Sequence, residues 1–358
     1  MLRQSHRQIE KMTHEELRQI RLFRQHLTDK TDKITVARDL CGIQCQFMSN
    51  AFHSLKIRCT EPLDPETFSE GLVKNWTHRG TVHVFPTDDL PLYLYDEGVY
   101  RSEEWNDEYY KNRIWVSRER KRFFVELILK SIENGTCERE ALRTICRENG
   151  MTQREENWAF DPWGGIFHTL CKRGFLNHAV GERKAFALSP IYTPMTAHDA
   201  KREQLRRYLT HIAPATLRDI SYFFKFTQAE IKSRLSELPV EHFTLDGKEH
   251  FYLEPLKTDY PDIPPCIFLA GFDQLMLGYQ KADSIFLPAE YLRGIFNLAG
   301  IVMPAVMLDG TVAGKWKKKD KILEITPFRT FSAKEKTIVS DTAEALWGDE
   351  MGKISFGE

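Results

Sequence analysis

The sequence predicts an α+β protein in which three winged-helix units stand in tandem ahead of a compact, mainly β C-terminal domain. Three observations carry that expectation. A set of helical hydrophobic patterns followed by strand-like alternation occurs three times along the chain. A proline-rich stretch, "PLKTDYPDIPP", follows the third copy, and beyond it the composition turns to β-branched and aromatic runs. The length of 358 residues, 42% of them hydrophobic, suits two to three domains with a sizeable core. The expected boundaries are residues 1–90, 91–195, 196–262 and 263–358.

In the first unit, "THEELRQIRLFRQHL" places Leu17, Ile20, Phe23 and Leu27 on one helical stripe. "ITVARDLCGIQCQF" follows, also helical in pattern. In "LDPETFSEGLVKNWTHRGTVHVF", Asp64 reads as an N-cap with Pro65 at the first helical position, and alternation begins after Gly80. The second unit repeats the outline with "FFVELILKSI", "CEREALRTICREN" and "DPWGGIFHTLCKRG", the last stopped by Gly174, then a strand pair around a Gly-Glu-Arg turn. The third runs "KREQLRRYLTHI", "APATLRDISYFFK" and "TQAEIKSRLSEL" into "VEHFTLDGKEHFYL". There Thr227 and Glu230 form a capping box and Asp246-Gly247 a hairpin turn. The last domain carries a second hairpin signal at Asp309-Gly310 and a final helix, "SAKEKTIVSDTAEALWG".

The totals exclude several classes. No apolar run reaches the length of a membrane span and the first residues are too polar for a signal peptide, so a cytoplasmic, nucleoid-associated protein is expected. Seven cysteines without a CxxC pair signal neither a zinc module nor a redox dithiol. A net charge of -1 means that nucleic acid must be met by a local basic face. Candidates are "RERKR" at 118–122, "KREQLRR" at 201–207 and "KWKKKDK" at 315–321. In the last, Lys317 and Lys318 follow Trp316 on a hairpin, a wedge with phosphate-binding cations beside it. The first two read equally well as solvated faces.

"THRGTVHVF" gathers His78, Arg79, Thr81 and His83 where helix gives way to strand. By period two Thr81 and His83 share a face, which suits a polar wall; a satisfied structural cluster with Arg79 pinning a helix end is the alternative. No third histidine or cysteine stands at ligand spacing, so no metal is expected, and His53 reads as incidental.

"GIQCQFMSN" places Gln44 and Gln46 on either side of Cys45. On a regular helix the two would point about 200° apart, so they can serve one site only if the helix ends near Gly42. A glutamine amide has no useful pKa and cannot be a general base. It can orient a water or read the edge of a base.

Five segments in order resemble the winged-helix DNA glycosylases of the AlkZ type, bacterial enzymes that remove alkylated purines and unhook interstrand crosslinks. They are "ARDLCGIQCQ", "HRGTVHVF", "APATLRDI", "GFDQLMLGY" and "VMLDGTVAGKW", spread across most of the chain. The resemblance implies three winged helices with a small C-terminal β-barrel, duplex DNA carrying an alkylated base as the partner, and Gln44 and Gln46 as the pair that positions water. It also implies Arg79, Thr81 and His83 beside the substrate and no metal or organic cofactor. One departure stands after Tyr279, where "QKADS" replaces the family's Tyr-x-Asp-Arg. Two other readings stay open: a non-catalytic DNA-binding or regulatory protein, and a scaffold for a protein partner.

Overall fold

The computed structural model describes residues 12–77, 79–98, 100–102, 116–161, 165–181 and 183–357. His78, singled out above, lies outside them. Helix α1 (His14–Arg24) starts at a capping box between Thr13 and Glu16, and α2 (Lys33–Asp39) starts where Asp32 accepts from the N–H groups of Ile34 and Thr35. Strand β1 (Ile43–Gln44), α3 (Met48–Lys56), β2 (Leu72–Trp76), β3 (Val82–Pro86) and α4 (Leu90–Tyr93) follow. Next come α5 (Arg118–Glu133), α6 (Arg139–Glu148), α7 (Gln153–Ala159), α8 (Gly165–Lys172), β4 (Leu176–His178) and β5 (Phe186–Leu188).

The third group holds α9 (Ala197–His211), α10 (Leu217–Phe224), α11 (Gln228–Leu235), β6 (Glu241–Leu245) and β7 (Lys248–Tyr252). The C-terminal part contains β8 (Cys266–Leu269), α12 (Gln274–Leu277), α13 (Leu292–Ile295), β9 (Ala305–Leu308), β10 (Thr311–Lys319), β11 (Ile322–Pro327), α14 (Ala333–Trp347) and β12 (Lys353–Phe356).

Two compact units divide the chain. The first is built from the chain up to Gln44, from Ser49–Leu63 and from Leu205 onward; the second comprises Cys45–Met48 and Asp64–Gln204. In the second, the strands run in the order β3-β2-β4-β5 with antiparallel neighbours. Its core packs Phe124, Ile128, Leu142, Phe167, Leu170 and Phe186. The apolar positions of α5, α6 and α8 that periodicity identified supply most of it.

From Leu205 of α9 onward, the first unit runs through α10 and α11 into the β6–β7 hairpin in the order expected. Asp246 and Gly247 both take positive φ (49° and 72°), the geometry a two-residue hairpin turn with the native twist requires. The C-terminal sheet has the order β12-β11-β10-β9-β8. The barrel expected from the resemblance is corrected here, because this sheet is open. Its terminal strands β8 and β12 do not pair, and Val339, Ala343 and Trp347 of α14 pack instead on Phe268, Val306, Leu323 and Ile325. A helix laid over one apolar face buries it without closure.

Two further expectations are corrected. The described residues 64–77 do not form a helix. Asp64 does cap, accepting from the Glu66 N–H at 2.8 Å, but only turns follow. Gly71 then takes φ 74° and "LVKNW" enters β2, its valine and tryptophan suiting a pleated surface. The helix containing "ITVARDLCGIQCQF" also ends early, at Asp39.

Candidate active site at the Gln-Cys-Gln segment

The break after α2 is set by two residues in the left-handed region, Cys41 at φ 55° and Gly42 at φ 80°. Such a pair cannot continue a right-handed helix. The Gly42 N–H closes the last turn on Ala37 O at 2.8 Å, and the chain leaves extended. Ile43 and Gln44 are strand, the Cys45 N–H donates to Val82 O at 2.8 Å, and the chain bends at Gln46 and Phe47 before α3. Cys45 is buried with its Sγ 3.1 Å from Met48 Sδ, which anchors the middle of the segment. Gln44 is buried, with 7% of its surface left, whereas Gln46 is exposed and Phe47 beside it is 49% exposed.

The turn is also held from the C-terminal half of its own unit. Gln274 Nε2 donates to Leu40 O at 2.5 Å, taking up a carbonyl that the helix end leaves without a partner. Asp273, next to it, caps α12 by accepting from the Leu275 N–H and binds Arg58 through both oxygens, at 2.7 and 2.9 Å. Arg58 and Asp273 are fully buried. Burial pushes the Asp273 carboxyl up, but the Arg58 charge and the hydrogen bonds outweigh that and hold it below the usual range. Sequence reasoning quoted "GFDQLMLGY" without giving Asp273 or Gln274 a role. An acid ahead of an apolar run is a cap signal; nothing in one sequence points from Gln274 to Leu40, 234 positions away.

The remaining candidates are placed as follows. Beyond the paired ends of β2 and β3, the Thr77 N–H donates to Thr81 O at 3.2 Å. His83 is fully buried, its Nδ1 3.1 Å from Thr77 Oγ1 and 3.0 Å from Thr81 O. His83 therefore braces the hairpin, and of the residues expected to form a polar wall, Arg79 and Thr81 keep partial exposure.

Trp316 lies on the face of β10 turned to α14. Its Nε1 donates to Leu269 O at 2.8 Å, and its ring sits 4.9 Å from that of His53 and 5.3 Å from that of Trp347. The wedge expected of Trp316 is corrected accordingly, since the ring is half-buried and packed against the C-terminal core. His53 is likewise structural, bonding Phe268 O at 2.8 Å, with burial pulling its pKa down to about 4. Lys317 points to the opposite face, exposed and in register with Glu324, and Lys318 is half-buried. Within "RERKR", Arg120 forms a bidentate pair with Glu155 and Lys121 is buried over the Trp158 ring, so part of that run serves the second unit's own packing.

A profile of the family described as "DNA glycosylase AlkZ-like" matches residues 37–347, which contain Gln44, Gln46, Asp273 and the C-terminal sheet. The chain belongs to this family. As an AlkZ-like protein it is a DNA glycosylase, and the readings as a non-catalytic binder or a scaffold give way. A relative from Streptomyces sahachiroi, named "Interstrand DNA cross-link repair glycosylase", is 25% identical over 336 residues, spanning 86% of this chain and 88% of the relative. The solved structure of the Streptomyces sahachiroi DNA glycosylase AlkZ superposes with a TM-score of 0.76 at 21% identity, covering 97% of this chain and all of that one. That likeness establishes the mixed α+β fold as the AlkZ fold. Among the described residues, no helix of this AlkZ-like chain is long and apolar enough to cross a membrane.

Proposed function

We propose that this glycosylase hydrolyses the N-glycosidic bond of N7- or N3-alkylated purines, or of purine crosslinks, in duplex DNA, with Gln44 and Gln46 orienting the attacking water. The observation that carries this reading is the extended course of the chain after Gly42. Off a helix, the separation of about 200° that helical geometry would impose on residues two apart no longer applies. The printed name of the Streptomyces sahachiroi relative, with its cross-link repair, points to the same class of lesion.

The chemistry suits amides. An N7- or N3-alkylated purine is cationic, so its glycosidic bond breaks dissociatively and the departing base needs no proton. What remains is to place a water and to favour positive charge developing on the sugar, and two amide oxygens supply both. Such a lesion is already activated, so the cost of full base flipping, a few kcal/mol, need not be met. Arg79, Thr81, Lys317 and Lys318 would contact phosphate and sugar, within a fold read as three winged-helix units and a C-terminal domain. No metal or organic cofactor enters this reaction.

Single-turnover release of free base from duplexes carrying N7-methylguanine, N3-methyladenine or an N7-linked crosslink tests the proposal. Gln44→Ala and Gln46→Ala are each expected to slow release by about a hundred- to a thousand-fold, with duplex affinity retained. Undiminished release by either variant overturns the assignment of the pair.

A further inference from the structure

Three side chains far apart in the sequence converge at the C-terminal end of α2. His26 Nε2 lies 2.9 Å from Asp39 Oδ2, and His211 Nδ1 lies 3.2 Å from the same oxygen. All three donor atoms fall within 4.8 Å of one another. His26 follows α1, Asp39 ends α2 and His211 ends α9, so the point of convergence joins three segments of the first unit.

Both ring nitrogens of His26 face acceptors. Its Nδ1 is 3.1 Å from Asp29 O, a carbonyl that can only accept, so Nδ1 carries a hydrogen. Nε2 then meets the carboxylate oxygen 2.9 Å away either as the second N–H of an imidazolium or, in a neutral ring, with a cation between the two. An Nδ1–H held by a backbone carbonyl, with Nε2 aimed at a shared point, is the usual outer-shell arrangement of a metal-binding histidine. His26 also sits at φ 59° as the left-handed residue that closes α1, its N–H on Phe23 O at 3.0 Å and the Leu27 N–H on Leu22 O at 2.9 Å.

We propose that His26 Nε2, Asp39 Oδ2 and His211 Nδ1 bind one divalent transition-metal ion. Two imidazoles and one carboxylate suit zinc and its neighbours better than magnesium or calcium, which favour all-oxygen sets. Tetrahedral ligands at zinc distances stand about 3.4 Å apart, so the observed spacing asks for a small outward movement of the two rings from the carboxylate and no refolding. The ion acts as a staple. Asp39 is three residues ahead of Gly42, and fixing it fixes the base of the turn that carries Gln44. The site is independent of the hydrolytic reading above, in which no metal takes part.

The test uses the full chain, stripped with a chelator and titrated with Zn2+ by calorimetry and with Co2+ by visible absorption. One ion per chain is expected, with Co2+ d–d bands and no thiolate charge-transfer band, although the chain has seven cysteines. His26→Ala and His211→Ala are each expected to weaken uptake by at least about ten- to a hundred-fold, as perturbing a metal site's ligand set does. Circular dichroism reports whether the variants fold. Should either misfold, X-ray absorption on the zinc-loaded wild type decides, through the presence or absence of imidazole scattering. No saturable uptake by wild type, a thiolate band, no imidazole scattering, or uptake unchanged in both folded variants overturns the proposal.

Discussion

Arg58 and Asp273 form a bidentate ion pair from which solvent is excluded on both sides, 215 residues apart in sequence. Arg58 also donates to Gln25 O at 2.9 Å and to Ser54 O at 2.9 Å, so its donors are spread over three segments of the first unit. Arg58→Ala leaves a carboxylate buried without its cation and is expected to cost about 3 to 5 kcal/mol in urea unfolding. Arg58→Met with Asp273→Leu removes both charges and should cost far less. A double variant as unstable as the single one would mean that packing, not charge, dominates there.

Acid tests the same pair from another side. The folded Asp273 carboxyl is held below its unfolded value, so the stability it contributes is present above pH ~4 and is lost as pH falls through the folded value. Wild type should lose stability below pH ~4 more steeply than the Met/Leu double variant. Parallel curves would contradict the assignment.

Four histidines outside the His26, Asp39 and His211 cluster act at higher pH. Burial, the leading cause in each case, draws His53, His168, His178 and His250 down to about 4. A group whose folded pKa lies below its unfolded value of about 6.5 favours folding above that value. The contribution declines as pH drops from about 6.5 toward 4. Urea midpoints are therefore expected to fall steadily across that window, and His53→Gln, which keeps a polar side chain without a titrating ring, should flatten the decline.

Gln274 tests how the turn is positioned. Gln274→Met removes the donor to Leu40 O and should cost about 1 to 3 kcal/mol, the range for a buried acceptor left unsatisfied. If Gln274 sets the course of the chain toward Gln44, the single-turnover excision rate also falls while duplex affinity stays constant. A stability loss with an unchanged excision rate restricts Gln274 to a structural role.

Salt dependence tests the lysines of β10. If Lys317 and Lys318 each neutralise a phosphate, each Lys→Ala change lowers the slope of log K against log salt by about 0.9. Lys317 is exposed and faces Glu324 across the strand pair, so a Lys317→Ala variant with an unchanged slope would mean that the cross-strand pair is its whole role.

Much of the fold was legible because periodicity and caps are local. Of the expected stripe, Leu17 and Ile20 are buried on α1, Phe23 is half-buried and Leu27 is buried just past the helix end, and the Thr227–Glu230 box and the Asp246-Gly247 turn form where the residues call for them. The failures are local as well. Asp64-Pro65 is a good helix start, but the β propensity of "LVKNW" after Gly71 prevails. At the candidate site, Gly42 marked where the helix had to yield, and the amides stood out as polar residues in an apolar run. Neither the packing of Trp316 against the core nor the burial of His83 could be read, because each is fixed by partners from other elements. Gln274 and the His26, Asp39 and His211 cluster were missed for the same reason.

The interleaving of the two units has a consequence during synthesis. Arg58 leaves the ribosome with its charge destined for burial, and its partner is 215 residues further along. At about 5 to 20 residues per second, that is a delay of roughly 10 to 40 s. Residues Asp64–Gln204 of the second unit are made within that interval and its Cys45–Met48 just before it, so the inserted unit can be complete while the segments of the first that precede it still wait for the chain from Leu205 onward. A nascent chain arrested shortly after Gln204 should therefore protect the second unit from protease and leave the first 44 residues open to it.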